Sequence, residues 1–164
     1  MGKFLLLFLL ILSVLFTGEL TPPVQQWIVV PWTEGLARIC VGLAQVLDRQ
    51  VVVQGIAIIN PVSGIGVEVQ AGCNGIEAAI VLLAAVLAFP APWRYKLAGL
   101  AAGLVAIQGL NVIRVISLFY LGQWNRTLFD WAHLYLWQAL IMLDVLVVWL
   151  IWVRALPSRN PAHA

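Results

Sequence analysis

Apolar residues run through this chain in four long blocks separated by short polar stretches. Phe4 to Gly18 lies between Lys3 and Glu19. Ile76 to Phe89 carries Glu77 at its edge and is stopped by Pro90. Leu97 to Leu121 contains one charge, Arg114, and Trp131 to Val153 contains His133 and Asp144. A bilayer core needs about 20 mostly apolar residues as helix. The pattern therefore predicts an all-α membrane protein, a small bundle with transmembrane helices over about 4–20, 75–90, 97–121 and 131–153. Helical spacing also holds from Thr33 to Asp48, where Leu36, Ile39, Cys40, Leu43, Val46 and Leu47 form one apolar face. Glu34, Arg38, Gln45 and Asp48 mostly avoid that face, which predicts an amphipathic helix lying on the membrane surface. Pro31, Glu34 and Arg38 count against a fifth span there. Val51–Ile59 and Ile65–Gln70 are β-rich, and in the second Ile65, Val67 and Val69 alternate with Gly66, Glu68 and Gln70. The turn signal Asn60-Pro61-Val62-Ser63-Gly64 between them predicts a short β-hairpin that ends just before Cys73. It belongs to an outer segment over about 21–72.

Composition narrows the class. Of 164 residues, 63% are hydrophobic and 10% charged, against about 25% charged in soluble domains. Disorder and an ordinary water-soluble enzyme are thereby excluded, and one integral membrane domain over 1–156 with a tail at 157–164 is expected. The net charge of +2 comes without a basic patch, which argues against a nucleic-acid partner; the lipid bilayer is the partner expected. Eight Trp, most near the ends of apolar runs, suit an aromatic belt. Phe4 to Gly18 has the shape of a signal peptide, but no small-x-small cleavage site follows, so a retained anchor is expected. Lys3, Arg94, Lys96, Arg154 and Arg159 outnumber Arg38, Arg49 and Arg126. That bias predicts both termini in the cytoplasm, a multi-pass protein of the cell (inner) membrane, and an outer segment on the far side.

Ionisable groups within a membrane cost about 2.5–3.5 kcal/mol on insertion scales, so those present should have a task. Cys73 precedes the second span and His133 opens the fourth. Arg114 lies roughly 10 Å below the exit of the third near Leu121, and its stem is expected to snorkel outward. Separate spans thus deliver a thiol, a guanidinium and an imidazole to one layer. Cys73 stands in Ala71-Gly72-Cys73-Asn74-Gly75 just before a helix, whose N-terminus is expected to lower the thiol pKa. Cys40, on an apolar helix face, reads as a small core residue; a disulfide between Cys40 and Cys73 would abolish thiol chemistry. Taken separately, Cys73, His133 and Arg114 also have structural readings, as a core thiol, a hydrogen-bonding His and an anchoring Arg. Together they allow nucleophilic chemistry: thiolate attack on a carbonyl, proton transfer by His, and stabilisation of the oxyanion by a fixed cation.

Supporting roles follow from spacing. Gln108 and Asn111 share a stripe with Arg114, which predicts that it faces the bundle interior. His133, Trp137, Leu140 and Asp144 fall on one face of the last span, and Asp144 is expected to pair with Gln108 across the bundle. Asp130 is expected either to orient His133 or to cap a helix. Glu77 is placed either to pair with Arg114 or to raise the thiol pKa. Gly99-Leu-Ala-Ala-Gly103 suits close helix packing, within the chain or between copies. No cofactor is expected, and metal-ligand clusters are not apparent. An aspartyl peptidase would need two carboxylates at one level, whereas Asp130 and Asp144 are ~21 Å apart along a helix.

Gly72-Cys73-Asn74-Gly75-Ile76, then Asn111-Val-Ile-Arg114-Val-Ile, then His133 at the head of the last span resemble the exosortase/archaeosortase family. The resemblance covers about half the chain. Asn74 stands where the family commonly has Ser, as in the subtype called exosortase H. The resemblance implies a membrane-embedded cysteine transpeptidase with Cys73 as nucleophile, His133 as general acid/base and Arg114 as stabiliser. It further implies substrate proteins that end in a short motif, a transmembrane helix and a basic tail, cleaved at the outer surface and passed to an acceptor. Asn74 would then bear on substrate choice. A hydrolytic cysteine protease shares every residue, and a non-enzymatic membrane assembly subunit is the remaining alternative. The hairpin before Gly72 is placed to hold an extended peptide by strand addition.

Overall fold

The computed structural model describes residues 2–157, so the expected tail, including Arg159, lies outside the described residues except for Pro157. Helices α1 (Gly2–Glu19) and α2 (Pro22–Ala44) come first. Strands β1 (Val52–Gln54), β2 (Ala57–Asn60) and β3 (Ile65–Glu68) follow. Helices α3 (Ile76–Ala88), α4 (Trp93–Trp124) and α5 (Arg126–Ala155) complete the chain. The result is a helical membrane bundle with a small antiparallel sheet at one end.

Among the described residues four helices are long and apolar enough to cross a membrane, but they are not the expected four. α3 has 13 residues, about 20 Å of helix against a hydrocarbon core of about 30 Å. α2 has 23 residues and qualifies instead. The expected surface helix from Thr33 is therefore the second half of a longer, more apolar helix. Pro22 and Pro23 open it, where a missing N–H costs least. The Val30 N–H then reaches back five residues to the Gln25 carbonyl. This widened turn immediately precedes Pro31 and accommodates a ring that would clash in a regular helix. One face of α2 buries Thr33, Leu36, Ala37, Cys40, Val41 and Ala44. The other exposes Trp27, Ile28, Ile39 and Leu43, as contact with lipid requires.

The β-region is a three-stranded meander, not a two-stranded hairpin. Gly55, with φ +60°, splits the expected strand Val51–Ile59 into β1 and β2. Glycine at the first of two linking positions suits a type II′ turn. The second turn falls where expected: Asn60 Oδ1 accepts from the N–H groups of Val62 and Ser63 at 2.9 and 3.2 Å. Asn60 Nδ2 donates to Asp48 at 2.8 Å and ties the sheet to the end of α2.

Two apolar cores result. The sheet-end core joins α2 (Leu36, Cys40, Val41), Val51, Ile58, Val69 and the α4 residues Val115 and Phe119. The bundle core joins α3 (Ala78, Leu82, Val86), Ile107 of α4 and α5 (Ile141, Val145, Trp152). Gly99 lies under the Trp152 indole, and Gly103 lies against Leu82 and Val148. The glycine stripe therefore serves packing within the chain. At the end remote from the sheet, Lys96 is buried and donates to the Leu87 carbonyl at 2.7 Å, closing the C-terminus of α3.

Candidate active site

The loop Ala71–Gly75 joins the sheet to α3, and its shape is set by two glycines in the left-handed region, Gly72 (φ +80°) and Gly75 (φ +76°). A Cβ on Gly75 would also lie 2.7 Å from Gln108 Nε2, so only glycine fits. Between them, the Cys73 N–H donates to the Gln70 carbonyl at 2.9 Å. Asn74 is buried beside Cys73. Its Oδ1 accepts from the Ile76 N–H at 3.0 Å, satisfying a donor of the first turn of α3. Its Nδ2 donates to Thr33 Oγ1 at 3.2 Å, and its carbonyl accepts from Trp32 Nε1 at 3.2 Å. The residue expected to influence substrate choice is thus a clamp between α2 and α3, and it does not line the cavity beside Cys73. Serine would be too short to serve both the helix turn and Thr33.

The stripe on α4 faces inward, as its spacing predicts, and grips this loop carbonyl by carbonyl. Gln108 Nε2 donates to Gly75 at 3.4 Å, Asn111 Nδ2 to Cys73 at 3.0 Å, and Arg114 Nη1 to Gly72 at 2.9 Å. Asn111 and Arg114 are 0% and 2% exposed, so the guanidinium does not snorkel. Its second nitrogen, Nη2, lies 3.3 Å from Cys73 Sγ. The third group comes from α5. Trp137 N–H bonds the Ala132 carbonyl five residues back, a widened turn that contains His133. Such turns recur at functional sites. His133 Nε2 lies 3.1 Å from Cys73 Sγ, and its ring stacks on Phe129 with centroids 5.6 Å apart.

Thiol, imidazole and guanidinium therefore meet although they lie on three elements. Burial raises the Cys73 pKa; Arg114 draws it down and Glu77 pushes it up, and the net direction is upward. That direction is opposite to the lowering expected from the helix N-terminus, and desolvation of the half-buried thiolate is its largest cause. A thiol of this kind needs a base in contact, which is where His133 stands. Cys40 and Cys73 are both free; Cys40 is fully buried in the sheet-end core, so no disulfide competes.

The supporting residues divide. Glu77 accepts a short hydrogen bond from the Gly72 N–H and makes no ion pair with Arg114; its effect on the thiol is the one retained from the two expected. Asp130 pairs with Arg126 at 3.4 Å, one turn away on the exposed side of α5, and forms no hydrogen bond with His133. Asn125 caps that helix instead, accepting from Leu128 N–H at 3.1 Å. Gln108 turns to Gly75, and no hydrogen bond joins it to Asp144, so the expected pair does not form among the described residues. Asp144 Oδ2 is buried without a partner. The widened turn at Ala132–Leu136 also breaks the regular spacing that put His133 and Asp144 on one face. Trp32, Thr33 and Phe129 also support the site, beyond the residues expected from the sequence. Trp32 and Thr33 act through contacts distant in sequence and leave no local signal, whereas Phe129 stands four residues before His133, a spacing that a helix makes legible.

A cavity of about 240 Å³ opens over Cys73 and His133, lined also by Val67, Glu68, Gln70 and Arg126. No curated protein and no solved structure matches the chain. A family model described as Transmembrane exosortase (Exosortase_EpsH) matches residues 3–151. The match runs through α1, the sheet and every helix that supplies the thiol, the guanidinium and the imidazole, and on that extent the chain belongs to the transmembrane exosortase family.

Proposed function

We propose that this protein is a membrane-embedded cysteine transpeptidase that cleaves C-terminal sorting signals and transfers the new carboxyl end to an acceptor. The observation that carries the reading is the position of one sulfur, Cys73 Sγ, 3.1 Å from His133 Nε2 and 3.3 Å from Arg114 Nη2. His133 Nε2 takes the thiol proton, and the thiolate attacks the scissile carbonyl. Negative charge moves from sulfur to oxygen, and Arg114 stabilises it in a poorly hydrated site, where a fixed cation is worth most. His133 returns the proton to the leaving amine as the C–N bond breaks, which leaves a thioester on Cys73. An acceptor amine then attacks the thioester, gives its proton to His133 and expels the sulfur. Water in place of the amine gives hydrolysis by the same residues.

The bias of Lys and Arg supports an orientation with both termini in the cytoplasm and the sheet outside, in the inner membrane. Arg94, in the first turn of α4 at the end remote from the sheet, is exposed and agrees with it. A substrate anchored by its own C-terminal helix and basic tail would present the bond just outside that helix to the layer of Cys73. The test is acid-quenched mass spectrometry of the protein co-expressed with such a substrate. An acyl adduct on the Cys73 peptide, released by hydroxylamine as a hydroxamate and lost in Cys73→Ala, is expected. Processing that persists in Cys73→Ala would overturn the reading.

A further inference from the structure

β3 is an edge strand, and its unpaired side adjoins the cavity that holds Cys73 and His133. Which of its main-chain groups are free follows from register. The Val69 N–H donates to the Ile56 carbonyl at 3.0 Å, and Val67 faces Ile58 two residues along. In an antiparallel ladder, hydrogen-bonded and non-bonded pairs alternate. The odd-numbered residues Ile65, Val67 and Val69 therefore turn their N–H and C=O groups towards β2. Gly66 and Glu68, opposite Ile59 and Ala57, turn theirs outward. Among the described residues neither outward N–H has a hydrogen-bond partner. The side chains alternate to match: Val67 and Val69 pack in or against the sheet-end core, while the Glu68 carboxylate accepts from Gln70 Nε2 at 2.8 Å on an exposed face. Five consecutive residues, Gly66 to Gln70, line the cavity together with the reactive sulfur. The edge is four residues long, enough to pair a short peptide but too short to recruit another sheet.

Resting on the cysteine-peptidase reading above, we infer that the substrate binds as a fourth strand on β3, pairing its main chain with Gly66 and Glu68 and so laying its scissile carbonyl beside Cys73. Affinity then comes from main-chain hydrogen bonds, and sequence preference from the alternate side chains that enter the cavity. Glu68 and Arg126 give that cavity one charge of each sign.

The test uses the full chain in phospholipid vesicles, with acetyl-tetraalanine chloromethyl ketone as the extended probe and iodoacetamide as a probe without a main chain. The thiolate displaces chloride from the ketone or iodide from iodoacetamide, so a thioether forms, a carbon–halogen bond breaks, and the thiol proton passes to His133. Two further peptide probes carry N-methyl groups on alternate residues. Strand pairing predicts that one methylation pattern slows Cys73 labelling by about tenfold, the loss of one hydrogen bond, and that the complementary pattern does not. Glu68→Pro, which removes an outward N–H and leaves the ladder to β2 intact, should slow the unmethylated peptide by a similar factor, with iodoacetamide labelling unchanged. Glu68→Ala, which keeps that N–H, should slow the peptide less than Glu68→Pro does. Equal rates for both methylation patterns would overturn strand pairing while leaving the nucleophile reading in place. A Cys73 that iodoacetamide labels no faster than Cys40 would overturn both.

Discussion

The two cores differ in how their contacts are made. The sheet-end core is built from branched and aromatic side chains that interdigitate, among them Val41, Val51, Ile58, Val69 and Phe119. The bundle core relies on close approach of helices, with Gly99 under Trp152 and Gly103 against Leu82 and Val148. It also tolerates a buried Asp144 oxygen and a buried Trp149 Nε1 without partners. α4 is the long helix that serves both. Ile107 belongs to the bundle core and Val115 to the sheet-end core. The residues between them that face the loop are Gln108, Asn111 and Arg114. The candidate site thus occupies the junction where α4 exchanges one packing regime for the other. The chain crosses the same junction at Ala71–Gly75, between Val69 of the first core and Ala78 of the second. A junction is where a polar group can be buried without displacing core atoms, which accounts for three amide or guanidinium donors gathered at one loop.

The two cysteines give the strongest contrast between junction and core. Cys73→Ala should abolish processing, a loss on the order of a thousandfold or more, with little change in unfolding temperature. Cys40→Ala should do the reverse, keeping activity and losing about 1–2 kcal/mol of stability through a small cavity in the sheet-end core. Processing assays beside detergent-solubilised unfolding curves separate them. If both variants lost activity equally, the distinction between junction and core would fail. Arg114→Gln comes next. It removes the cation beside the sulfur and leaves the Gly72 carbonyl with a weaker donor. A fall in processing rate of about 10²–10³ is expected, with the pH profile of Cys73 alkylation moved upward, because Arg114 holds the thiol down.

A smaller effect is expected in the bundle core. Gly103→Leu forces a side chain into Leu82 and Val148 and should cost about 1–3 kcal/mol. Cys73 alkylation by iodoacetamide should stay at the wild-type rate, since the junction does not depend on that contact. A large change in alkylation would show that the two cores are coupled through α4.

Much of this organisation is legible in the sequence because its causes are local or periodic. The apolar blocks give the helices, the 108–111–114 spacing gives the inward stripe, and Asn60 to Gly64 gives the turn. Three features are not legible in this way. The start of α2 at Pro22 depends on a widened turn ahead of Pro31, which a regular helical period does not contain. The split of Val51–Ile59 was signalled by Gly55, a glycine within a β-rich run, but its apolar neighbours read as continuous strand. The roles of Asn74, Thr33 and Trp32 rest on contacts 41 and 42 residues apart in sequence. Spacing cannot show such contacts, and the resemblance, which implied a bearing of Asn74 on substrate choice, does not show that its side chain turns into the fold.

The finest test of the junction concerns Glu77, which does two opposed things there. Its carboxylate holds the Gly72 N–H and so fixes the loop; its charge also works against the thiolate of Cys73, four residues earlier in the chain. Glu77→Gln keeps an acceptor oxygen for Gly72 and removes the charge. The thiol pKa should fall, since one of the two influences raising it is gone, while burial and Arg114 continue to oppose each other. Thiolate is the reactive form, so the pH profile of iodoacetamide labelling at Cys73 should shift to lower pH in Glu77→Gln and to higher pH in Arg114→Gln. At a pH below the wild-type midpoint, Glu77→Gln should label a few-fold faster, within the tenfold that one pKa unit allows. Glu77→Ala, which removes the acceptor as well, should lose loop geometry and process substrate more slowly than Glu77→Gln. Identical behaviour of the two variants would mean that only the charge of Glu77 matters, and that Gly72 is held in place by Arg114 alone.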